Sequence, residues 1–289
     1  MDICIELLIP SIGVIGAAII AASWLRTRGR GNVLLESLLE YVACTPLDPV
    51  NFSSLEELPS PVYRYFMHVL PKGQRLIGKT LIQQSGMLRT TPKSNKWLPF
   101  DAHETIVPAA KGFVWDARIK LPLGMHLRVL DSSIAGAGSG RVSLLSVFPV
   151  AAEEGAPELN AGTLCRYLAE AVWCPTALLP QSGVTWTAID DQSALATLCV
   201  RDIRVSLEFR FNTTGEVSGI YTPGRFAHIG SEYRLLPWEG RFDHYQIMSG
   251  IRVPSFGEVG WHVDDRLEIV WKGEILDIQY DVLEKKLKG

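Results

Sequence analysis

Residues 161–173 read AGTLCRYLAEAVW and form one helical segment in a region otherwise composed of strands. Apolar side chains at positions 164, 167, 168, 171 and 172 recur at the spacing of one helix face, and Pro175 ends the helix. A single amphipathic helix between two runs of strands needs a sheet to cover. We therefore predict an α+β, mostly β fold: a large curved antiparallel sheet, or half-barrel, with one central helix on its concave side.

The strands are predicted from short runs of β-branched, aromatic and alternating residues that begin after Gly78. Turn-forming residues separate these runs at intervals of about 8 to 12 residues. The candidate strands are Thr80–Thr91, Trp97–Val107, Gly112–Lys120, Leu127–Ile134, Arg141–Val150, Val184–Ile189, Ala194–Val200, Val205–Phe211, Val217–Tyr221, Tyr233–Tyr245, Val259–Val263, Arg266–Trp271 and Ile275–Val282. A sheet of this size must curl or close on itself.

The amino-terminal stretch predicts a membrane anchor. Residues 7–25, LLIPSIGVIGAAIIAASWL, carry no charge over 19 positions, about the length that crosses ~30 Å of hydrocarbon as a helix. The alternative is a cleavable signal peptide, but the preceding flank contains Asp2 and Glu6 and neither Lys nor Arg. We therefore expect a transmembrane helix that brings the protein into contact with the bilayer.

The basic flank behind this segment predicts its orientation. Arg26, Arg28 and Arg30 follow directly, and the positive-inside rule keeps such residues in the cytoplasm. We expect a single-pass inner-membrane protein whose body faces the cytoplasm. Its predicted divisions are the anchor and flank at 1–30, a juxtamembrane helical segment at 31–77 with helices at Asn32–Tyr41 and Ser60–Pro71, and the curved β domain at 78–289 with helix 161–173.

Composition excludes several classes of protein. The 289 residues are 47% hydrophobic and 20% charged, as in a folded chain rather than a disordered one. The net charge of -3 argues against a general nucleic-acid binder, which would be basic. Five scattered cysteines show neither a disulfide pattern nor zinc-ligand spacing, which favours a reducing compartment.

Local motifs give no support for a cofactor or a metal. The glycine-rich stretch Gly136–Arg141 lacks the Lys-Ser/Thr of a phosphate-binding loop and precedes a strand, so we interpret it as a hairpin. Six acidic and imidazole side chains are candidates for acid–base work and have no recognised metal-ligand spacing: Asp101, His103, Glu170, His228, Asp243 and His262.

Charges on the central helix point toward the interior of the half-barrel. A helix on the concave side brings Arg166 or Glu170 close to the core, where a charge needs a partner, and Arg118 or Arg225 could supply one. The alternatives are a structural ion pair and a solvated helix face. The tryptophans could likewise either contact a ligand or form part of the core, which is the usual role of large aromatic side chains.

Several stretches resemble an uncharacterised, mainly bacterial family of unknown function. They are Pro61–Tyr65, Gly112–Arg118, Leu164–Pro180, Pro237–Gly240 and Gly250–Pro254, of which Leu164–Pro180 is the most specific. The resemblance covers nearly all of the chain after residue 58 and implies no catalytic residue, because the family has no assigned activity. It implies a half-barrel similar in outline to the periplasmic lipoprotein-localisation carriers of the bacterial envelope, whereas the basic flank predicts a cytoplasmic body.

These observations favour a membrane-anchored, non-enzymatic domain that binds a lipid or another amphipathic molecule between the sheet and the helix. Trp115 and Trp173 would line the cavity, and Arg118, Glu170 and Arg225 would orient the head group. One alternative is a hydrolase that acts on a membrane-derived substrate, which requires two of the six candidate side chains in one cleft. The other is a protein-interaction scaffold whose concave side is filled by its own side chains.

Overall fold

The structure is a computed structural model that describes residues 29–46, 49–229 and 232–282. Within these residues, thirteen strands form one antiparallel sheet that curls into a half-barrel. The strands are β1 Lys79–Leu88, β2 Leu98–Val107, β3 Gly112–Lys120, β4 His126–Ile134, β5 Ala137–Leu144, β6 Phe148–Glu154, β7 Val184–Ala188, β8 Ser193–Val200, β9 Ile203–Phe211, β10 Val217–Ile229, β11 Glu232–Met248, β12 Ile251–Val263 and β13 Arg266–Asp281.

The helices are few. They are α1 at 29–39, α2 Ser60–Val69 and α3 Pro157–Glu170, with 3-10 turns that include Glu40–Cys44, Ser53–Glu57, Ala171–Trp173, Pro175–Leu178 and Pro180–Ser182. This mostly-β composition confirms the predicted fold class.

The sheet has two wings that meet at its centre. Its strand order is β6-β5-β4-β3-β2-β1-β13-β12-β11-β10-β9-β8-β7. We call β1–β6 the first wing and β7–β13 the second wing; each is a meander of consecutive strands, and β1 pairs with β13 between them. The chain leaves the first wing at one edge of the sheet, β6, and enters the second wing at the other edge, β7.

α3 makes this crossing through the concave side. It packs against β3, β4 and β5 of the first wing and against β9 and β10 of the second, and Leu164, Tyr167 and Leu168 are buried there. The helix begins at Pro157, four residues before the predicted start, because proline is favoured in the first turn of a helix. Asn160 Oδ1 accepts a hydrogen bond from the backbone N–H of Gly138 at 2.7 Å, which joins this first turn to β5.

Three of the predicted strands are divided differently in the structure. The run Arg141–Val150 is two strands, β5 and β6, joined by a turn in which Leu145 and Ser146 have positive φ. Turns of this kind usually contain Gly or Asn, and the absence of both at positions 145 and 146 is why the sequence did not predict the turn. Conversely, Arg266–Trp271 and Ile275–Val282 are one strand, β13, because pairing with β1 and β12 continues through Gly273.

The predicted hairpin at the glycine-rich stretch is confirmed. β4 and β5 are paired along their length, from Leu127 opposite Leu144 to Ile134 opposite Ala137. The turn between them consists of Ala135 and Gly136, both with positive φ. The remaining glycines of the stretch belong to β5.

The first two helices pack on different faces of the sheet. Leu38 of α1 lies with Val114 and Leu130 on the outer face of the first wing. α2 buries Tyr65 and Phe66 in the main core, where Tyr65 contacts the ring of Phe211 in β9 at a centroid distance of 5.8 Å. The predicted helix at Ser60–Pro71 is thus present as α2.

The predicted membrane segment, residues 7–25, lies outside the described residues. Among the helices that the structure describes, none combines the length and apolar character that crossing a bilayer requires.

β5 and α3 pack so closely at Gly138 that a larger side chain should destabilise the fold. A Cβ at this position would lie 2.6 Å from Thr163 Oγ1 and 3.1 Å from the carbonyl oxygen of Leu159. We expect Gly138→Ala to lower the free energy of unfolding by about 1–3 kcal/mol, because the helix must shift to make room. Denaturant unfolding of the full-length chain in mild detergent, followed by tryptophan fluorescence, measures this change.

Gly140→Ala is the matched control on the same strand. Its Cβ would meet only Asp131 Oδ1, at 3.4 Å, so the free energy of unfolding should change by less than about 0.5 kcal/mol. Equal losses in both variants would contradict the close packing of α3 on β5.

Candidate ligand-binding cavity

A cavity of about 540 Å³ lies between α3 and the two wings. Five of the eight tryptophans line it: Trp115, Trp173, Trp238, Trp261 and Trp271. The other apolar side chains of the wall are Leu88, Ile119, Leu127, Val129, Val142, Ala169, Phe242, Val259 and Val270. Its size and its apolar wall are typical of small-molecule binding sites.

The aromatic wall is fixed by contacts around Trp173. The indole N–H of Trp173 donates a hydrogen bond to the carbonyl oxygen of Pro254 at 3.0 Å. Its ring meets Phe242 and Trp271 edge-on at centroid distances of 5.7 and 6.3 Å. Aromatic rings held in this way define the shape of the cavity before any ligand enters.

The polar end of the cavity is organised around Arg166 of α3. Its Nε donates to Glu170 Oε1 at 2.7 Å, and its Nη1 donates to Asp131 Oδ2 at 3.1 Å. The guanidinium carbon also lies over the rings of Phe113 and Trp115, at 4.7 and 4.9 Å. Arg166 is therefore neutralised by two carboxylates and held against two aromatic faces.

Glu104 extends this network into the core. Its side chain is only 1% exposed, and Oε2 accepts a hydrogen bond from Gln84 Nε2 at 2.8 Å. Gln84 Oε1 in turn accepts the indole N–H of Trp115 at 2.9 Å. This chain of hydrogen bonds links β1, β2 and β3 beneath the cavity.

Two carboxyl oxygens of the network, Glu104 Oε1 and Glu170 Oε2, are buried and have no N–H or hydroxyl partner among the described residues. Burial, followed by the negative charge of Glu170, raises the pKa of Glu104 well above its ordinary value. A hydrogen bond between the two carboxyl groups contributes to this shift. We therefore expect Glu104 to keep its proton to higher pH than an ordinary carboxyl group and to share that proton with Glu170.

Arg225 reaches the same end of the cavity from the second wing. β10 is bulged between Thr222 and Arg225, and a bulge re-aims the side chains that follow it. The guanidinium carbon of Arg225 lies over Trp238 and Trp261, at 4.6 and 5.1 Å. Its Nε donates to the carbonyl oxygen of Gly162 in α3 at 3.1 Å, so Arg225 also ties α3 to the second wing.

Four of the five predicted ligand-binding residues line the cavity: Trp115, Glu170, Trp173 and Arg225. Arg118 does not. It is exposed on the outer face of β3. Side chains alternate between the two faces of a strand, and Trp115, Ala117 and Ile119 face the interior. Residue 118 lies between two of these positions and therefore faces outward.

The six candidates for acid–base chemistry are dispersed, and only Glu170 lines the cavity. Asp101 and His103 share a face of β2, as predicted, but that face is the outer one, where Asp101 pairs with Lys120 at 2.7 Å. The arrangement does not bring two of the six candidates together, which is what the hydrolase alternative requires.

The other three candidates belong to the second wing. His228 is exposed and packs on Tyr233, with a centroid distance of 4.9 Å. Asp243 is exposed, and His262 contacts Glu239 Oε2 at 3.1 Å on the outer face. In the part of the chain that the structure describes, no three His, Cys, Asp or Glu side chains are grouped so as to hold a metal ion.

Sequence reasoning missed Gln84, Glu104 and Asp131, although their positions in the strands carry a signal. Each continues an inward-facing row at a spacing of two residues: Glu104, for example, follows Phe100 and Ala102 on the inner face of β2. A polar residue in phase with an apolar row must be buried with a partner. Three such residues on three strands indicate a buried polar cluster.

Comparison with known proteins gives a family and two similar folds. Residues 56–280 match the sequence family described as "Family of unknown function (DUF6920)". No curated protein matches the chain in sequence.

Two solved structures are similar to this one. A LolA superfamily protein from Nitrosomonas europaea is 11% identical, with a TM-score of 0.38 over 80% of this chain and 96% of that one. A beta-barrel-like protein of the domain of unknown function DUF1849 from Brucella abortus is 8% identical, with a TM-score of 0.25 over 72% of this chain and 99% of that one.

The raised pKa of Glu104 predicts a pH dependence of stability. Because its pKa is raised on folding, the folded chain binds this proton more tightly than the unfolded chain. The stability that this group contributes is complete below the ordinary carboxyl pKa of about 4.5 and is lost as pH rises toward the folded-state value. Glu104→Gln keeps the donor and carries no charge, so the variant should lose less stability than the parent between pH 5 and pH 8.

Denaturant unfolding at a series of pH values tests this expectation. Glu154→Gln, a change at an exposed position of β6, is the control and should leave the parent's pH profile unchanged. Parallel profiles for Glu104→Gln and the parent would show that Glu104 is ionised in the folded chain.

Proposed function

We propose that this chain, which belongs to the family of unknown function DUF6920, binds a lipid or another amphipathic molecule in the cavity between α3 and the two wings. The observation that carries the proposal is the division of the cavity wall. Most of the wall is aromatic or aliphatic, and four of its five charged side chains meet at one end: Asp131, Arg166, Glu170 and Arg225. The fifth, Arg89, is engaged by Glu268 and by the carbonyl oxygens of Ser94 and Ile269. A molecule with an apolar tail and a polar head matches this division.

The apolar wall gives such a molecule its affinity. Apolar surface in contact with water costs roughly 25 cal/mol per Å², so covering it with a tail is favourable. Because the aromatic contacts of Trp173 already fix the wall, little reorganisation opposes binding. In this proposal Trp115 and Trp173 contact the tail, while Glu170 and Arg225 lie toward the head.

The two alternatives receive less support from the site. The scaffold hypothesis expects a concave side filled by the protein's own side chains, and the cavity differs from that expectation. The hydrolase hypothesis expects two of its six candidate side chains in one cleft, and Glu170 is the one that lies there. We therefore propose a non-enzymatic binding role.

The proposal includes the membrane anchor predicted from residues 7–25. A tether to the bilayer raises the local concentration of lipid around the cavity, which strengthens binding without any new contact. The basic residues behind the segment support a body on the cytoplasmic side of an inner membrane.

A substitution that fills the cavity should abolish binding. Val142 lines the cavity from β5, and Val142→Trp places an indole in the space that the tail would occupy. With N-phenyl-1-naphthylamine as a neutral apolar probe of the full-length chain, we expect the dissociation constant to rise at least about tenfold. Native mass spectrometry of the same variant should show less co-purified lipid than the parent.

Val150→Trp is the matched control. It introduces the same side chain on the neighbouring strand, where Val150 is 61% exposed and not part of the cavity. Unchanged probe binding in Val150→Trp and weakened binding in Val142→Trp are expected. If Val142→Trp binds the probe as the parent does, the cavity is not the binding site.

The anchor is tested by extraction from membranes at alkaline pH. The full-length chain should stay in the membrane fraction, and Ile15→Lys with Ile19→Lys should release it, because each lysine at the centre of a span costs about 2.5–3.5 kcal/mol. Asn32→Lys with Val33→Lys, at exposed positions of α1, is the control and should remain bound. Release of the unchanged protein would contradict a transmembrane anchor.

A further inference from the structure

The four charged side chains at the polar end differ in what they can still bind. Arg166 is engaged by the carboxylates of Glu170 and Asp131. Glu170 is occupied on one oxygen by Arg166, and its other oxygen is buried against Glu104. These groups satisfy one another and leave little capacity for a ligand.

Arg225 is in a different position. Its hydrogen bonding within the described residues consists of the bond from Nε to Gly162, and it forms no ion pair with a carboxylate among them. Asp131 and Glu170 act on it only through longer-range charge interactions. The fork of two terminal nitrogens therefore remains available to an acceptor in the cavity.

The surroundings of Arg225 hold this fork in place. The Pro223–Gly224 bulge sets the direction of the side chain, and the rings of Trp238 and Trp261 support the guanidinium plane. A planar guanidinium held in a fixed orientation matches a carboxylate or a phosphate through two parallel hydrogen bonds. Because the same two tryptophans belong to the apolar wall, an anion bound here would continue into a tail along that wall.

Charge counting separates a head group with one negative charge from a head group with two. The positive charges of Arg166 and Arg225 are already matched by the carboxylates of Asp131 and Glu170 before Glu104 is counted. A head group with one negative charge pairs with Arg225 at modest repulsion from these carboxylates. A phosphate monoester, with about 1.5 to 2 negative charges at neutral pH, is repelled more strongly.

We infer that Arg225 is the head-group site of the cavity and that the ligand is a long-chain molecule whose head carries one negative charge, as a long-chain carboxylate does. This inference rests on the proposed function and specifies its ligand. Arg225 donates from both terminal nitrogens to the carboxylate, the tail lies against the tryptophans, and Glu170 positions Arg166 without contacting the head.

Four sixteen-carbon compounds test this assignment: hexadecanoate, hexadecanol, hexadecylamine and hexadecyl phosphate. The purified full-length chain is incubated with each compound, and occupancy is measured by native mass spectrometry. We expect hexadecanoate to bind at least tenfold more tightly than hexadecanol and more tightly than the phosphate. Arg225→Gln should reduce binding of hexadecanoate to the level of hexadecanol and leave hexadecanol unchanged.

The controls separate this inference from the proposed function. Arg118→Gln, which removes an exposed arginine on the outer face of β3, should keep the preference for carboxylate. Arg225→Lys keeps the positive charge without the fork and should retain part of the preference; thermal unfolding of both Arg225 variants shows whether they fold.

Each contrary outcome has a distinct meaning. If none of the four compounds binds, the proposed function fails. If all bind equally, or if Arg225→Gln keeps the preference, the head-group assignment fails while the cavity still binds tails. A preference for hexadecylamine would mean that Asp131, and not Arg225, binds the head group. A preference for hexadecyl phosphate would overturn the choice of a head group with one negative charge.

Discussion

One covalent connection joins the two wings, and it must pass through the inside of the curled sheet. Residues 155–183 leave one edge strand, run along the concave side as α3 and three 3-10 turns, and enter the opposite edge strand. A polypeptide this deep must satisfy its own backbone. Side chains from two strands of the second wing help to do so: Tyr280 of β13 donates to the carbonyl oxygen of Trp173, and Trp186 of β7 donates to that of Leu178. The curvature of the sheet, the cavity and its polar end all follow from this buried crossing.

The crossing explains why charge lies next to the cavity. α3 contacts both wings, so a residue on almost any of its faces meets another part of the protein. Arg166 and Glu170 lie one turn apart on the face that turns toward the cavity, and Asp131 and Glu104 meet them from β4 and β2. A buried ion pair of this kind contributes little net stability, since well-packed apolar side chains often replace one without loss. In the proposed function, recognition of a polar head group gives the cluster a role that stability alone does not.

The predictable part of the structure was the part governed by periodicity. β3 has the bounds that its alternating pattern indicated. The central helix begins one turn earlier than predicted, and its last three predicted residues, 171–173, form a 3-10 turn. The error on Arg118 was also avoidable: positions 115 and 118 of one strand are an odd number apart, so both side chains cannot face the cavity. The position of Arg225 could not be derived in this way, because the predicted strand ended at Tyr221 and the bulge that follows changes the phase of the strand.

Contacts between segments distant in sequence were the least predictable. No local pattern shows that Glu104 of β2 meets Glu170 of α3, because the meeting depends on how far the sheet curls around the helix. The pairing nevertheless has a consequence for ligand binding. An anion beside Arg225 adds negative charge near Glu104 and Glu170, which favours the proton that Glu104 holds. By thermodynamic reciprocity, that proton favours the anion equally. The acid pair beneath the cavity thus couples the charge of the head group to the protonation of the core, although only Glu170 of the pair lines the cavity.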